Sequence, residues 1–549
     1  MDYINFILYA VLAVLTYLLL LAWQRDYPAD IAKIAASQAR PQDTLLTLGI
    51  PNTDLPSQIP REAKNSLQEG QLEINPAPNL VTVNTDTFEL TIDLNGGDIV
   101  YLALPQYLKH ADIPNDPFVL LESTPTNSYI SQSGLIGLDD NDSRAAYRSN
   151  STDYRMEESE NSLIVELLTS SSSGVEVTKQ FIFKRGSYLI NINFKVNNTT
   201  SETWQANPFG QIRRNAYDDP SKASGFTRTF LGFVTTSKDD PYLKIDFEDI
   251  DDGAITNAMN GGWIGFSQHY FLSAWIPDSA AFNSFSVRKN SSDQYYGGFA
   301  SEALVVEPNS QASHKMQFYA GPKEQYRLEA ISPNLELTID YGVLGFIASP
   351  IHWLLTRINS ILGNFGFSII FLTVIVKGMF FKLSESQYKS TAGMKKLAPK
   401  LQQLRERLGD DKLRLQKETM ELYKKENVSL LGGCLPALVQ MPVFFALYWV
   451  LIESVELRHA PFLMWITDLS VMDPYFMLPL LMAAGMYLQS SMNPTPADPM
   501  QAKLMKLLPI MMTVFFLFSP AGLVLYWLTN SSLSMLHQWV VSRRIAAIA

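Results

Sequence analysis

The chain of 549 residues has one cysteine, Cys434, so no intrachain disulfide can form. Cys434 lies in an apolar run and reads as a packed thiol; nothing about the redox compartment follows from it. Its six histidines, at positions 110, 269, 314, 352, 459 and 537, are scattered, which excludes a metal cluster of ordinary spacing and leaves each reading as structural. No GxxxxGK[ST] loop, HExxH pair or GxSxG elbow occurs. The chain is therefore not expected to be an enzyme, and no catalytic residue, cofactor or metal is expected. Aromatic residues are absent between Tyr27 and Phe88, a stretch that holds Pro28, Pro41, Pro51, Pro56, Pro60, Pro76 and Pro78. Such a segment buries too little apolar surface to offset its ordering entropy. It reads as a flexible tether over residues 24–75.

Charge is unevenly spread. From Tyr341 onward 19 Lys and Arg face 12 Asp and Glu, a net of +7, whereas the preceding residues carry a net of −18. An acidic first part and a basic second part are expected on opposite sides of a membrane.

What is present is apolar length. Residues 4–23 hold no charge and are long enough to span. With neither a basic start nor a small-residue cleavage pattern, they read as an uncleaved anchor (1–23) rather than a signal peptide. Further spans are expected at 365–381, 430–452, 474–489, 507–518 and 522–541, six in all. Residues 507–518 would reach only about 18 Å at 1.5 Å per residue, short of a ~30 Å core. Either that helix recruits the preceding basic turn or the bilayer is thin there; a re-entrant loop with 522–541 is the alternative.

Residues 76–325 read as an all-β domain. Phe88, Leu90, Ile92 and Leu94 alternate before an NGGD turn, and Val175, Val177, Phe181 and Phe183 precede Arg185-Gly186, after which Tyr188, Ile190, Ile192, Phe194 and Val196 alternate. Many short strands with few helical periods suggest a large sandwich. Residues 333–362 follow, an amphipathic helix with Ile351, Leu354, Leu355, Ile358, Ile361 and Leu362 on one face and His352 off it; it reads as interfacial or as packed on the β-domain. Residues 382–429 carry 12 basic and 7 acidic residues. Met394, Leu397, Leu401, Leu404 and Leu408, then Leu413, Gln416, Met420 and Tyr423, predict an antiparallel coiled-coil hairpin broken at Gly409.

The basic hairpin, Lys503, Lys506 and the Arg543-Arg544 tail put both termini in the cytoplasm and export the β-domain. Within the spans, Thr373, Lys377, Gln440, Thr513, Asn530, Ser531, Ser532 and Gln538 are polar. Facing one another, they would line a wet cavity. Ser and Thr could instead bond their own helices, and Lys377 could snorkel to the cytoplasmic boundary.

The runs LGGCLPALVQMPVFFALYWVL at 431–451, RERLGDD at 405–411, SVELRHAPF at 454–462 and DPMQAKLMKLLP with PAGLVLYWLTN at 498–530 resemble the YidC family of membrane protein insertases in its Gram-negative form. The resemblance covers essentially the whole chain and is strongest over 335–541. It implies a multi-domain membrane protein of the bacterial inner membrane: an α-helical transmembrane bundle of six spans, five forming the core, plus a periplasmic β-supersandwich. It implies a hydrophilic substrate groove whose cation is Lys377, lined here by Thr373, Gln440, Tyr526, Trp527, Asn530 and Ser531. The implied partners are nascent membrane proteins, the Sec translocon, ribosomes and the lipid bilayer, with no direct reading of nucleic acid. Many members have arginine at the Lys377 position and a second tyrosine where Trp527 stands; lysine keeps the charge but loses the planar five-donor fork. Two other classes compete with an insertase. A transporter of a small anionic solute would show internal repeats, and none is evident. A sugar-binding surface protein would leave six spans without a purpose.

Overall fold

The computed structural model describes residues 79–548 except 112, 140–142, 219–228, 410, 427–434 and 493–498. The expected anchor at 1–23, the tether and Cys434 lie outside the described residues. Two compact units emerge, divided between Ile339 and Asp340.

The first unit is built on two facing β-sheets, one of 11 strands and one of 9. Alternation sets which side chains turn inward. Glu89–Asp93 pairs antiparallel with Asp98–Leu108, Ile92 opposite Ile99. Between them Gly96 (φ +89°) and Gly97 (φ +62°) take left-handed conformations that a β-branched residue would resist. Glu176–Lys184 pairs with Leu189–Asn198, which puts Phe181 opposite Ile192 and Val177 opposite Val196. The two sheets meet through aromatic contacts: Phe118 stacks on Phe271 at 4.2 Å and Tyr129 meets Phe266 edge-on at 5.4 Å. One short helix, α1 (Phe247–Asp252), interrupts the strands, and a second, α2 (Gln325–Ile331), follows the last of them. Asp246 caps α1 with a reciprocal capping box.

One cation sits inside this unit. Lys179, fully buried, donates from Nζ to the carbonyls of Gly97 (2.7 Å), Ser133 (2.8 Å) and Gly96 (3.1 Å) on the opposite sheet. Nearby, Arg144 donates to Asp98 at 2.6 Å and lies 3.5 Å from Asp139. Burial pushes the Lys179 ammonium down to about 7, while Asp98 pulls the other way.

The second unit is helical: α3 (Gly345–Leu362), α4 (Phe365–Met379), α5 (Phe381–Leu408), α6 (Lys412–Lys425), α7 (Leu435–Glu453), α8 (Met477–Met492), α9 (Pro499–Leu517) and α10 (Ala521–Ile548). Helix α3 packs on α4 and α7, α10 on α4, α5 and α8, and α8 on α9. Helix α3 buries Ile351, His352 and Leu355 and exposes Phe346, Trp353 and Ile361. His352 is therefore not on the solvent side as its sequence position suggested. Its Nε2 lies 3.4 Å from Glu456, a polar neighbour that no helical period reveals. Gly363 (φ +64°) ends α3, and Asn364 caps α4 by accepting from the Phe367 amide.

Among the described residues no single helix is long and apolar enough to cross a membrane, but α4 and the start of α5 together are, bent by 70°. The break falls at Phe380, two residues after Gly378. The segment expected at 507–518 is the second half of α9, whose 19 residues extend about 28 Å. The helix thus begins in the preceding basic turn, at Pro499.

Helices α5 and α6 run antiparallel, joined by Lys400–Glu426 and Arg407–Glu418 pairs, each at 2.6 Å. The seam read from sequence on α6 is met in part. Tyr423 is half-buried as expected, whereas Leu413 and Met420 face solvent; Leu415, Glu418, Thr419 and Leu422 are the other half-buried positions among the described side chains. Apolar residues occur on two stripes of this helix. The two ion pairs turn Glu418 and Glu426 toward α5, and the Leu415 stripe turns inward with them.

Candidate functional site

Helix α4 carries no charge except near its C-terminal end, where Lys377 stands half-buried. Its Nζ donates to Gln440 Oε1 on α7 at 3.4 Å, and Gln440 Nε2 donates to Asn530 Oδ1 on α10 at 3.4 Å. Three helices are thus joined by one polar chain. Both contacts are longer than the usual 2.7–3.2 Å, so the chain is loose. No ion pair with a described carboxylate neutralises Lys377.

The other sequence-selected residues divide. Thr373 is buried and donates to the Ile369 carbonyl of its own helix at 2.6 Å. Thr513 and Ser532 bond back in the same way, to Pro509 and Leu528. Ser531 and Gln538 are buried. Tyr526 and Trp527 pack in an aromatic group: Phe444 lies parallel to Tyr526 at 6.2 Å and edge-on to Trp527 at 4.8 Å, and Phe516 lies 5.2 Å from Trp527. Trp527 Nε1 is buried without a hydrogen-bond partner among the described residues. That orphaned donor is what a smaller phenol at this place would not leave in the same position.

Two features escaped the sequence reading. His537 stacks on Phe381 at 4.1 Å and meets Tyr388 edge-on at 5.0 Å, joining α10 to the start of α5. The i, i+7 spacing of Phe381 and Tyr388 on one helix face was the available signal. Lys179 was passed over because it is charged, although its parity with Val177 and Phe181 places it on the inward face.

An all-β unit followed by apolar helices that hold a lysine among amides defines a class: membrane-embedded helical proteins with a large extramembrane β-domain. Residues 80–354 match the family described as YidC periplasmic domain, and residues 357–547 match the family described as 60Kd inner membrane protein. The chain is 45% identical over 556 residues to a membrane protein insertase YidC of Stutzerimonas stutzeri (strain A1501), covering 100% of this chain and 99% of that protein. It is 45% identical over 557 residues to the one of Pseudomonas fluorescens (strain SBW25), with the same coverage. A solved structure of an active YidC insertase is 15% identical, covers 84% of this chain and 92% of its own, and has a TM-score of 0.37. The chain belongs to the YidC family of membrane protein insertases. It is an inner-membrane protein with a periplasmic domain, it inserts membrane proteins into the bilayer, and it is not an enzyme.

Proposed function

We propose that insertion proceeds through a hydrophilic groove centred on Lys377 and lined by Thr373, Gln440, Tyr526, Trp527, Asn530 and Ser531. The observation that carries this reading is the loose chain Lys377–Gln440–Asn530, which keeps a cation and two amides between apolar helices. A polar exported segment crossing hydrocarbon leaves its backbone and charges unsolvated. A groove holding water and amides shortens that path. Lys377 draws acidic residues of the passing segment into the groove, and apolar helices then leave sideways into lipid. No nucleotide or other energy source in the protein is required.

The topology that fits has six spans, at 4–23, 365–381, 430–452, 474–489, 507–518 and 522–541, five of them forming the core. Both termini are cytoplasmic, and the two facing sheets are a periplasmic supersandwich on the tether at 24–75. The basic hairpin at 382–429 stands in the cytoplasm as a coiled coil and receives substrates from ribosomes, and the protein also works beside the Sec translocon. The test is depletion of the protein in cells, followed by complementation with wild type, Lys377→Arg or Lys377→Ala at equal protein levels. Insertion of small membrane proteins with short acidic exported segments is scored by protease protection. Wild type and Lys377→Arg restore insertion; full restoration by Lys377→Ala removes the charge from the mechanism.

A further inference from the structure

The apolar stripe that α6 leaves outside the hairpin has no role in the account above. Leu413 is 82% exposed and Met420 is 47% exposed, two helical turns apart. Between and beyond them stand the exposed Lys417 and Lys424, and together with Glu421 these residues line a shallow open hollow. Neither lysine pairs with a described carboxylate, whereas the inward side of the same helix uses Glu418 in pairs with Arg407 and Arg414. Leu413, Lys417, Met420 and Lys424 recur at four, three and four, so they form one continuous line.

The bend at Phe380 says where such a line goes. In the topology proposed above, on which this inference rests, α4 spans the bilayer, and spanning helices tilt on average about 20° from its normal. A 70° bend then sets the first turns of α5, Phe381–Met394, closer to the membrane plane than to its normal. Two apolar side chains with two flanking lysines are also too small a surface for a stable protein partner, which needs roughly 1,000 Å² or more. They match a bilayer surface, where leucine and methionine enter the headgroup boundary and lysines reach phosphates.

We propose that Leu413, Lys417, Met420 and Lys424 form a docking stripe for anionic lipid headgroups, which rests the hairpin on the leaflet beside the helices it joins. The contact depends on charge. Each lysine near an anionic surface strengthens association about fivefold, so neutral lipid holds the stripe poorly.

The test uses the full-length protein with Cys434→Ser and a nitroxide attached through Met420→Cys. It is reconstituted into vesicles of phosphatidylcholine with or without phosphatidylglycerol. Accessibility of the label to an aqueous nickel chelate, relative to oxygen, is measured in each. The expected result is a several-fold fall in chelate accessibility in the anionic vesicles, reversed by raised salt and by Lys417→Glu with Lys424→Glu. A label attached through Thr419→Cys, on the half-buried side, reads the same in both lipids. Equal accessibility at position 420 in the two lipids overturns the proposal: equally high means that no surface is met, and equally low means that protein covers the stripe. The vesicles present the same lipid on both faces, so the outcome does not depend on the topology. Insertion measured in the same vesicles reports separately on the groove.

Discussion

Lys377 and Gln440 sit on different helices with 3.4 Å between Nζ and Oε1. A lysine held by one long contact to a neutral amide is free to exchange it for a carboxylate, since a full opposite charge attracts the ammonium more strongly than an amide dipole does. The proposed groove would then match its cargo by charge. Lys377→Glu is expected to reverse substrate preference, so that reporters with lysine in the exported segment gain about tenfold over those with aspartate, equivalent to about 1.4 kcal/mol. Protease protection of paired reporters measures the ratio; a ratio that stays with aspartate contradicts the role of the cation.

The Lys179 ammonium gives the β-unit a pH dependence. Its folded pKa, about 7, lies below that of a free lysine, so between about pH 7 and 10.5 the unfolded chain binds more protons than the folded one. Stability therefore rises with pH across that window, by at most about 1.4 kcal/mol per pH unit. Hydrogen exchange of the Glu176–Lys184 amides, corrected for intrinsic rate, should show protection increasing from pH 7 to 9, and Lys179→Met should flatten that slope.

Gly366 and Asn364 together fix where α4 begins. A Cβ at Gly366 would run into the Phe462 ring, and the Asn364 amide donates to the Pro461 and Phe462 carbonyls at 3.2 and 3.1 Å. Gly366→Ala is expected to cost about 1–3 kcal/mol through overpacking. Asn364→Ala loses the cap, about 1 kcal/mol, and leaves two carbonyls without their donor. Thermal unfolding in detergent would register both, with Gly366→Ala also shifting Phe462.

The rotation of the hairpin separates two leucines. Leu397 is 4% exposed on α5 and Leu413 lies in solvent on α6. Leu397→Ala should cost about 2–5 kcal/mol, and Leu413→Ala should change hairpin stability by less than about 0.5 kcal/mol. Limited proteolysis between Leu408 and Leu415 distinguishes them: cleavage accelerates in the first variant only. A faster cut in Leu413→Ala would restore the seam read from sequence.

These cases show where the chain was readable. Alternation at Phe88 to Leu94 and Val175 to Phe183 predicts paired strands, because a period of two and one buried face leave little choice of register. Long apolar runs likewise announce α4, α7 and α10. Periodicity says nothing of which helices become neighbours, so the meeting of Lys377 with Gln440 and Asn530 was legible as polarity but not as contact. Nor does it mark the 70° bend at Phe380, where no proline stands. On α6 it offered two apolar stripes, and only ion pairs from the other helix choose between them. Lys179 failed for the opposite reason: its parity was right, and its charge argued against burial until three carbonyls were seen to surround it.

The order of strands in the larger sheet carries a consequence for biogenesis. Trp204–Arg214 is hydrogen-bonded between Ser128–Ile136 and Tyr295–Ser301, so it joins an early half of the sheet, the strands from Leu80 to Ile136, to a late half, the strands from Ile255 to Ser301. The first strands cannot close the sheet until residues near Ser301 have crossed the membrane. Such non-local pairing folds slowly. The β-domain is therefore completed only after its last strands are exported, which makes this protein a client of translocation before it can act on clients of its own.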